Sequence, residues 1–186
     1  MSRIKNFIRR HFLGWTVDEI ELDSLKSRGL RVGSNTTIHG GCHIDGGWPW
    51  LISIGDHVTI STNVTILAHD ASPNIVGQAT KLGRVRIGNH VFIGTGTVIL
   101  CGVTLGDNVV VGAGSVVAGD LPGNAVYAGV PARRLCSIEE YREKCAKLRH
   151  ERPDFSTIHP WNQWGSATEA EKRQMWDALE SGIGFV

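Results

Sequence analysis

From Ile87 onward an aliphatic residue returns at every sixth position: Ile87, Ile93, Ile99, Leu105, Val111 and Val117. Gly88, Gly94, Gly106 and Gly112 follow four of these, and Val91, Thr97, Val103, Val109 and Ser115 stand four places on. The same phase appears earlier in Ile54-Gly55, Ile60 and Ile66, and earlier still in Val32-Gly33, Ile38 and Ile44. A period of six matches neither a helix at 3.6 nor a plain strand at 2. It matches a short strand followed by a corner, repeated, with the aliphatic residue pointing to the axis. The glycine after it is expected to relieve the corner backbone, including positive φ. Three hexads make one coil of eighteen residues, and coils stack at roughly 4.7 to 4.9 Å, each burying the next. The chain is thus expected to be an all-β solenoid, a parallel β-helix.

The coil length predicts vertical columns. Ile87 stacks with Leu105, Ile93 with Val111 and Ile99 with Val117. Ile54 joins the Ile87 column if the 33 residues between them hold one coil and a 15-residue excursion. That excursion falls between about Asp70 and Arg84, where Pro73, Gly77 and Gly83 break the pattern. A smaller break, with Gly46, Gly47, Trp48, Pro49 and Trp50, separates the first two blocks. Inserts on a solenoid become loops, and loops on a rigid scaffold commonly carry function.

Three segments follow from this pattern: helical residues 1–31, the β-helix over 32–135 with its loop at about 70–84, and helices and tail over 136–186. Ile4, Phe7, Ile8 and Phe12 share one helical face in residues 1–13, and a second helix is expected over Val17–Lys26. Ser137–Arg149 has helical character and ends before Pro153. Thr168-x-x-Glu171 has the form of a capping box opening a last helix. These helices are expected to cap the coil ends.

With 19 Lys+Arg against 18 Asp+Glu, a net charge of +1 argues against a general nucleic-acid binder. Arg3, Lys5, Arg9 and Arg10 form a local basic cluster that suits at most weak contact with a membrane surface through residues 1–13. No apolar run reaches the roughly 18 to 20 residues of a membrane span. A signal peptide is not evident either, because charges interrupt the N-terminus. A cytoplasmic location is expected, with Cys42, Cys101, Cys136 and Cys145 as four reduced thiols.

The features that bear on chemistry are His69, in Ile66-Leu-Ala-His-Asp70, and the segment Val126-Tyr-Ala-Gly-Val-Pro-Ala-Arg-Arg134. With Ile54-Gly-Asp56, Ile87-Gly-Asn89, Val91-Phe-Ile-Gly94, Gly102-Val-Thr-Leu-Gly-Asp107, Val111-Gly-Ala-Gly-Ser115 and Ala128-Gly-Val-Pro131, these residues resemble the hexapeptide-repeat acetyltransferases, particularly the sugar O-acetyltransferase branch. The matching stretch runs from about Leu30 to Leu148. The resemblance implies a left-handed β-helix, a homotrimer with active sites between adjacent subunits, and acetyl-CoA lying along the coils. It gives His69 the role of general base toward a hydroxyl of a sugar or polysaccharide precursor. It also implies backbone contacts from Thr95 and Ala113 to the pantetheine arm and a phosphate contact for Arg133, with Arg134 beside it. No metal is expected. The chain departs from the family at Phe92, Cys101 and Ala118-Gly119, where Trp, Pro and Thr-Lys are common. The missing Lys puts more of the phosphate binding on the two arginines.

Other readings stand beside these. His57 and His90 occupy the same hexad place and could be metal ligands at a subunit interface, or a solvated corner. His39, His43 and Asp45 precede Trp48 and Trp50; rings offer sugars flat apolar faces, so His43, Asp45, Trp48 and Trp50 are acceptor-site candidates. The same loop could instead plug the β-helix. Transfer to an antibiotic or a nucleotide sugar, or an inactive β-helical scaffold, are the alternatives to the sugar O-acetyltransferase.

Overall fold

The computed structural model describes residues 19–156 and 167–186, so the helix expected over 1–13 lies outside the described residues. The chain divides into two compact units, one ending at Ile138 and one from Glu139 to Val186.

In the first unit the hexads form very short strands stacked into three parallel sheets, with one antiparallel strand, Arg133–Ser137, closing the end of the second. The columns follow the repeat. Val32, Ile54, Ile87 and Leu105 pair in one sheet. Ile38, Ile60, Ile93, Val111 and Tyr127 pair in the second. Ile44, Ile66, Ile99 and Val117 pair in the third. All of them are buried except the partly buried Val32. Alternation within each two-residue strand sends one side chain inward and its neighbour outward, so burial of a single aliphatic per hexad builds a continuous core.

The role expected for the repeat glycines needs correction. Gly55 and Gly88 do not carry positive φ. They are glycines because the next coil lies against them: a Cβ on Gly55 would sit 2.6 Å from the Gly88 carbonyl oxygen, and one on Gly88 would sit 2.8 Å from the Gly106 carbonyl carbon. Positive φ falls instead on the corner residues Asn35, His57, His90, Asn108 and Asn124, a column in which short polar side chains tolerate the left-handed region. The N–H groups of His57, His90, Asn108 and Asn124 bond the carbonyls of Ser34, Asp56, Asn89 and Asp107, one coil away in each case. The His57 and His90 rings stack face to face, with centroids 4.8 Å apart and planes 4° from parallel. Beside them runs a second ladder, in which the carboxylate or amide oxygens of Asp56, Asn89 and Asp107 accept from the N–H groups of Ser34, Asp56 and Asn89.

Both breaks in the repeat are local. The chain leaves the coil after Ala68 and rejoins it at Gly83, whose N–H bonds the Ala68 carbonyl at 3.0 Å. Between them His69–Asp70 pairs antiparallel with Lys81–Leu82, enclosing a short helical turn at Ser72–Val76. The smaller break is a single turn at Pro49–Leu51. Before the first coil, helix α1 (Glu19–Ser27) ends one residue beyond the expected Val17–Lys26, whose first two positions lie outside the described residues, and Leu25 and Leu30 join the core. Helix α2 (Ile138–Glu151) follows the closing strand. In the second unit, α3 (Glu169–Ala178) opens on the expected capping box of Thr168 and Glu171. Among the described residues no helix is long and apolar enough to cross a membrane.

The close approach of coils sets a test. Gly88→Ala should destabilise the first unit by about 1 to 3 kcal/mol, because backbone of Gly106 and Asp107, beside the Asp107 carboxylate, occupies the space. Urea unfolding measures it; an unchanged midpoint would mean that the coils can separate without cost.

Candidate active site

His69 stands where rigid coil becomes loop. Ile66 and Ala68 are buried in the coil, whereas the His69 side chain remains 36% exposed at the first position of the hairpin. Asp45, one coil away and just past the strand His43–Ile44, follows the inward Ile44, and its carboxylate is 2% exposed. One carboxylate oxygen accepts from the Gly47 N–H at 2.9 Å. The other accepts from the Ala68 N–H at 2.9 Å and is bonded by Nδ1 of His69. A carboxylate can only accept, so Nδ1 carries the proton and a neutral His69 has its lone pair on Nε2. Burial opposes ionisation of Asp45, but the bonds from His69, Ala68 and Gly47 outweigh it and hold the carboxyl below its ordinary value. Asp70, next to the histidine in sequence, turns away to an ion pair with Lys81 at 2.6 Å that spans the hairpin.

The third member of the cluster is Trp48. Its ring lies 4.5 Å from the His69 ring, centroid to centroid, with the planes tilted by 48°. Asp45, expected among the acceptor-binding residues, is therefore buried behind the histidine, and Trp48 lies against it. His43 is exposed on its strand opposite Thr65, and Trp50 is half exposed in the turn. The loop is pinned from the other side too: the Arg28 guanidinium bonds the Gly46 carbonyl, and Trp50 packs against Gly29 so closely that a Cβ there would meet it at 2.8 Å.

Thr95 and Ala113 are exposed at a different corner, in successive coils. The Gly114 N–H bonds the Thr95 carbonyl, and the Thr95 hydroxyl lies 3.3 Å from that of Thr62, one coil further on. This corner is an edge of small side chains. Ala128 packs over Gly112 at its end, and Arg133 pairs with Ala128, so two exposed arginines, Arg133 and Arg134, stand beyond the small edge. Thr62 and His69 lie seven residues apart in one coil, on either side of the strand Thr65–Ile66. The small edge and the histidine thus flank the same sheet, whose outward residues are His43, Thr65, Val98 and Val116. Among the described residues no group of three or more His, Cys, Asp or Glu is placed to hold a metal ion.

A family profile, bacterial transferase hexapeptide (six repeats), matches residues 84–119. Protein CapG of Staphylococcus aureus is 39% identical over 145 residues, covering 74% of this chain and 83% of CapG. The galactoside O-acetyltransferase of Escherichia coli is 42% identical over 97 residues, but the match covers 49% of this chain and only 46% of that enzyme. Among solved structures, a hexapeptide-repeat acetyltransferase of Vibrio cholerae complexed with acetyl coenzyme A aligns with a TM-score of 0.55 and 33% identity, over 60% of this chain and 61% of that one. The chain belongs to the hexapeptide-repeat acetyltransferase family, with sugar O-acetyltransferases among its relatives.

The carboxylate has a stability consequence. Asp45 has a folded-state pKa below its unfolded value, so the stability it contributes is present above about pH 4 and is lost as pH falls toward the folded value. Denaturant unfolding at a series of acidic pH values should show a steeper loss for the natural chain than for Asp45→Asn. Parallel profiles would mean that the carboxylate gains nothing from its three donors.

Proposed function

We propose that this chain is a cytoplasmic acetyltransferase that moves an acetyl group from acetyl-CoA to a hydroxyl of a sugar or polysaccharide precursor, on a left-handed β-helix. The observation that carries the reading is the Asp45–His69 pair, which keeps Nε2 of the partly exposed ring unprotonated. A sugar hydroxyl near neutral pH is a poor nucleophile until its proton is being removed. Nε2 of His69 takes that proton as the oxygen attacks, while Asp45 steadies the positive charge that the ring acquires. His69 then returns the proton to the departing thiolate and regains its starting state. The imidazole finishes the cycle unchanged.

Acetyl-CoA, when bound, supplies the acetyl group as a thioester. The residues present suit such a molecule: the small exposed edge of Thr95 and Ala113 leaves backbone accessible to a pantetheine arm, and Arg133 and Arg134 offer guanidinium groups to phosphates. The small edge and His69 flank opposite sides of one sheet, which favours a homotrimer in which the edge of one subunit faces the histidine of the next. His43 and Trp50, both exposed near the pinned loop, are the residues we assign to acceptor binding. The relative named galactoside O-acetyltransferase supports a saccharide acceptor.

Activity assays with sugars and glycan fragments test the reading. His69→Ala should lower kcat by roughly two to four orders of magnitude with acetyl-CoA binding and assembly retained. Near-normal turnover would remove His69 from the mechanism. Arg133→Ala should raise KM for acetyl-CoA and leave kcat largely intact, since remote binding is lost and the chemistry is not. An unchanged KM would move the phosphate contact to Arg134. Light scattering should give a trimer mass; a monomer at micromolar concentration would leave the two half-sites unjoined.

A further inference from the structure

We infer that Trp48 acts on the base and not on the acceptor: it is a positioning residue that fixes the His69 ring and stabilises its protonated form. The inference rests on the role proposed for His69. Three observations carry it. The indole lies 4.5 Å from the imidazole, inside the roughly 6 Å over which an aromatic face attracts a cation. Trp48 is partly buried and packs against the hydrophobic core, so its ring is held and is not a loose surface platform. The loop that carries it is tied at Gly46 by Arg28, at Gly47 by Asp45, and at Trp50 by contact with Gly29. Asp45 therefore orients the imidazole through its Nδ1 edge and, by the residue three places on, the same loop packs a ring against it.

The consequence is chemical. In the proposed reaction the positive charge on the imidazole exists only after Nε2 has taken the hydroxyl proton. An aromatic face beside the ring favours that state over the neutral one. Asp45 does the same from the edge. The other titratable groups on the elements around His69 are Asp70, Lys81 and His43; Asp70 and Lys81 neutralise each other across the hairpin.

The test uses the full chain labelled with ¹⁵N-histidine, in Trp48→Phe, Trp48→Leu and, should the leucine variant not fold, Trp48→Met. In the natural chain and in Trp48→Phe, His69 should show the tautomer protonated at Nδ1. In Trp48→Leu or Trp48→Met the two tautomers should mix. This readout needs no acceptor and no acetyl-CoA, so it stands even if the proposed reaction is wrong. With an acceptor in hand, Trp48→Leu should lower kcat roughly five- to thirty-fold while leaving KM for the acceptor unchanged, and Trp48→Phe should restore most of it. Histidine signals unaltered by the leucine or methionine change would overturn the inference. So would a raised acceptor KM with intact kcat, which would make Trp48 a platform for the sugar.

Discussion

Everything in the first unit depends on how closely one coil lies on the next. Parallel strands at ladder spacing leave no room for a side chain where one corner backbone crosses another, and Gly55 and Gly88 sit at such crossings. Because the coils cannot move apart, a residue on one coil keeps a fixed relation to a residue on its neighbour. That rigidity lets Asp45 and His69, from different coils, meet without any dedicated structure to hold them. The same stacking aligns the two polar ladders at the corner of His57 and His90.

The candidate site uses the one departure from this regularity that the scaffold permits. Insertions can leave the coil only at corners, and two of them leave near the same edge of one sheet: the turn after Asp45 and the hairpin after Ala68. Neither is loose. Asp45 bonds backbone in both, at Gly47 and at Ala68, so a single buried carboxylate ties the two insertions together and orients the imidazole between them. A buried charge is tolerated when its oxygens are satisfied, and here the donors more than offset the cost of burial. Structure and chemistry share one residue.

The departures from sequence expectation share a physical cause. Closeness in the chain and sugar-binding residue type place Asp45 and Trp48 with His43 and Trp50 as acceptor candidates. The different roles proposed for them rest on which way each side chain points at the turn. That is set by the bonds of Asp45, Arg28 and Pro49, and not by residue type. Similarly, glycine after many of the inward aliphatics suggests a need for positive φ, whereas the positive φ values belong to asparagine, histidine and other glycines at the corners. Both a tight crossing and a left-handed corner select glycine, and composition does not distinguish them.

By itself, the sequence determined the solenoid, because a six-residue period admits no other regular burial of one aliphatic per repeat. It also determined the columns, down to the pairing of Ile54 with Ile87 across an excursion, since the phase of the repeat survives each insertion. His69 was legible as well, at the place where that phase is broken. What only the tertiary structure decided is which partners the histidine has. Asp45 precedes it by 24 residues, and counting columns brings the two coils together without saying that the carboxylate turns inward under Ala68. Column position follows from chain length alone. Side-chain direction at an irregular turn follows from hydrogen bonds that exist only once both insertions have folded against the same edge.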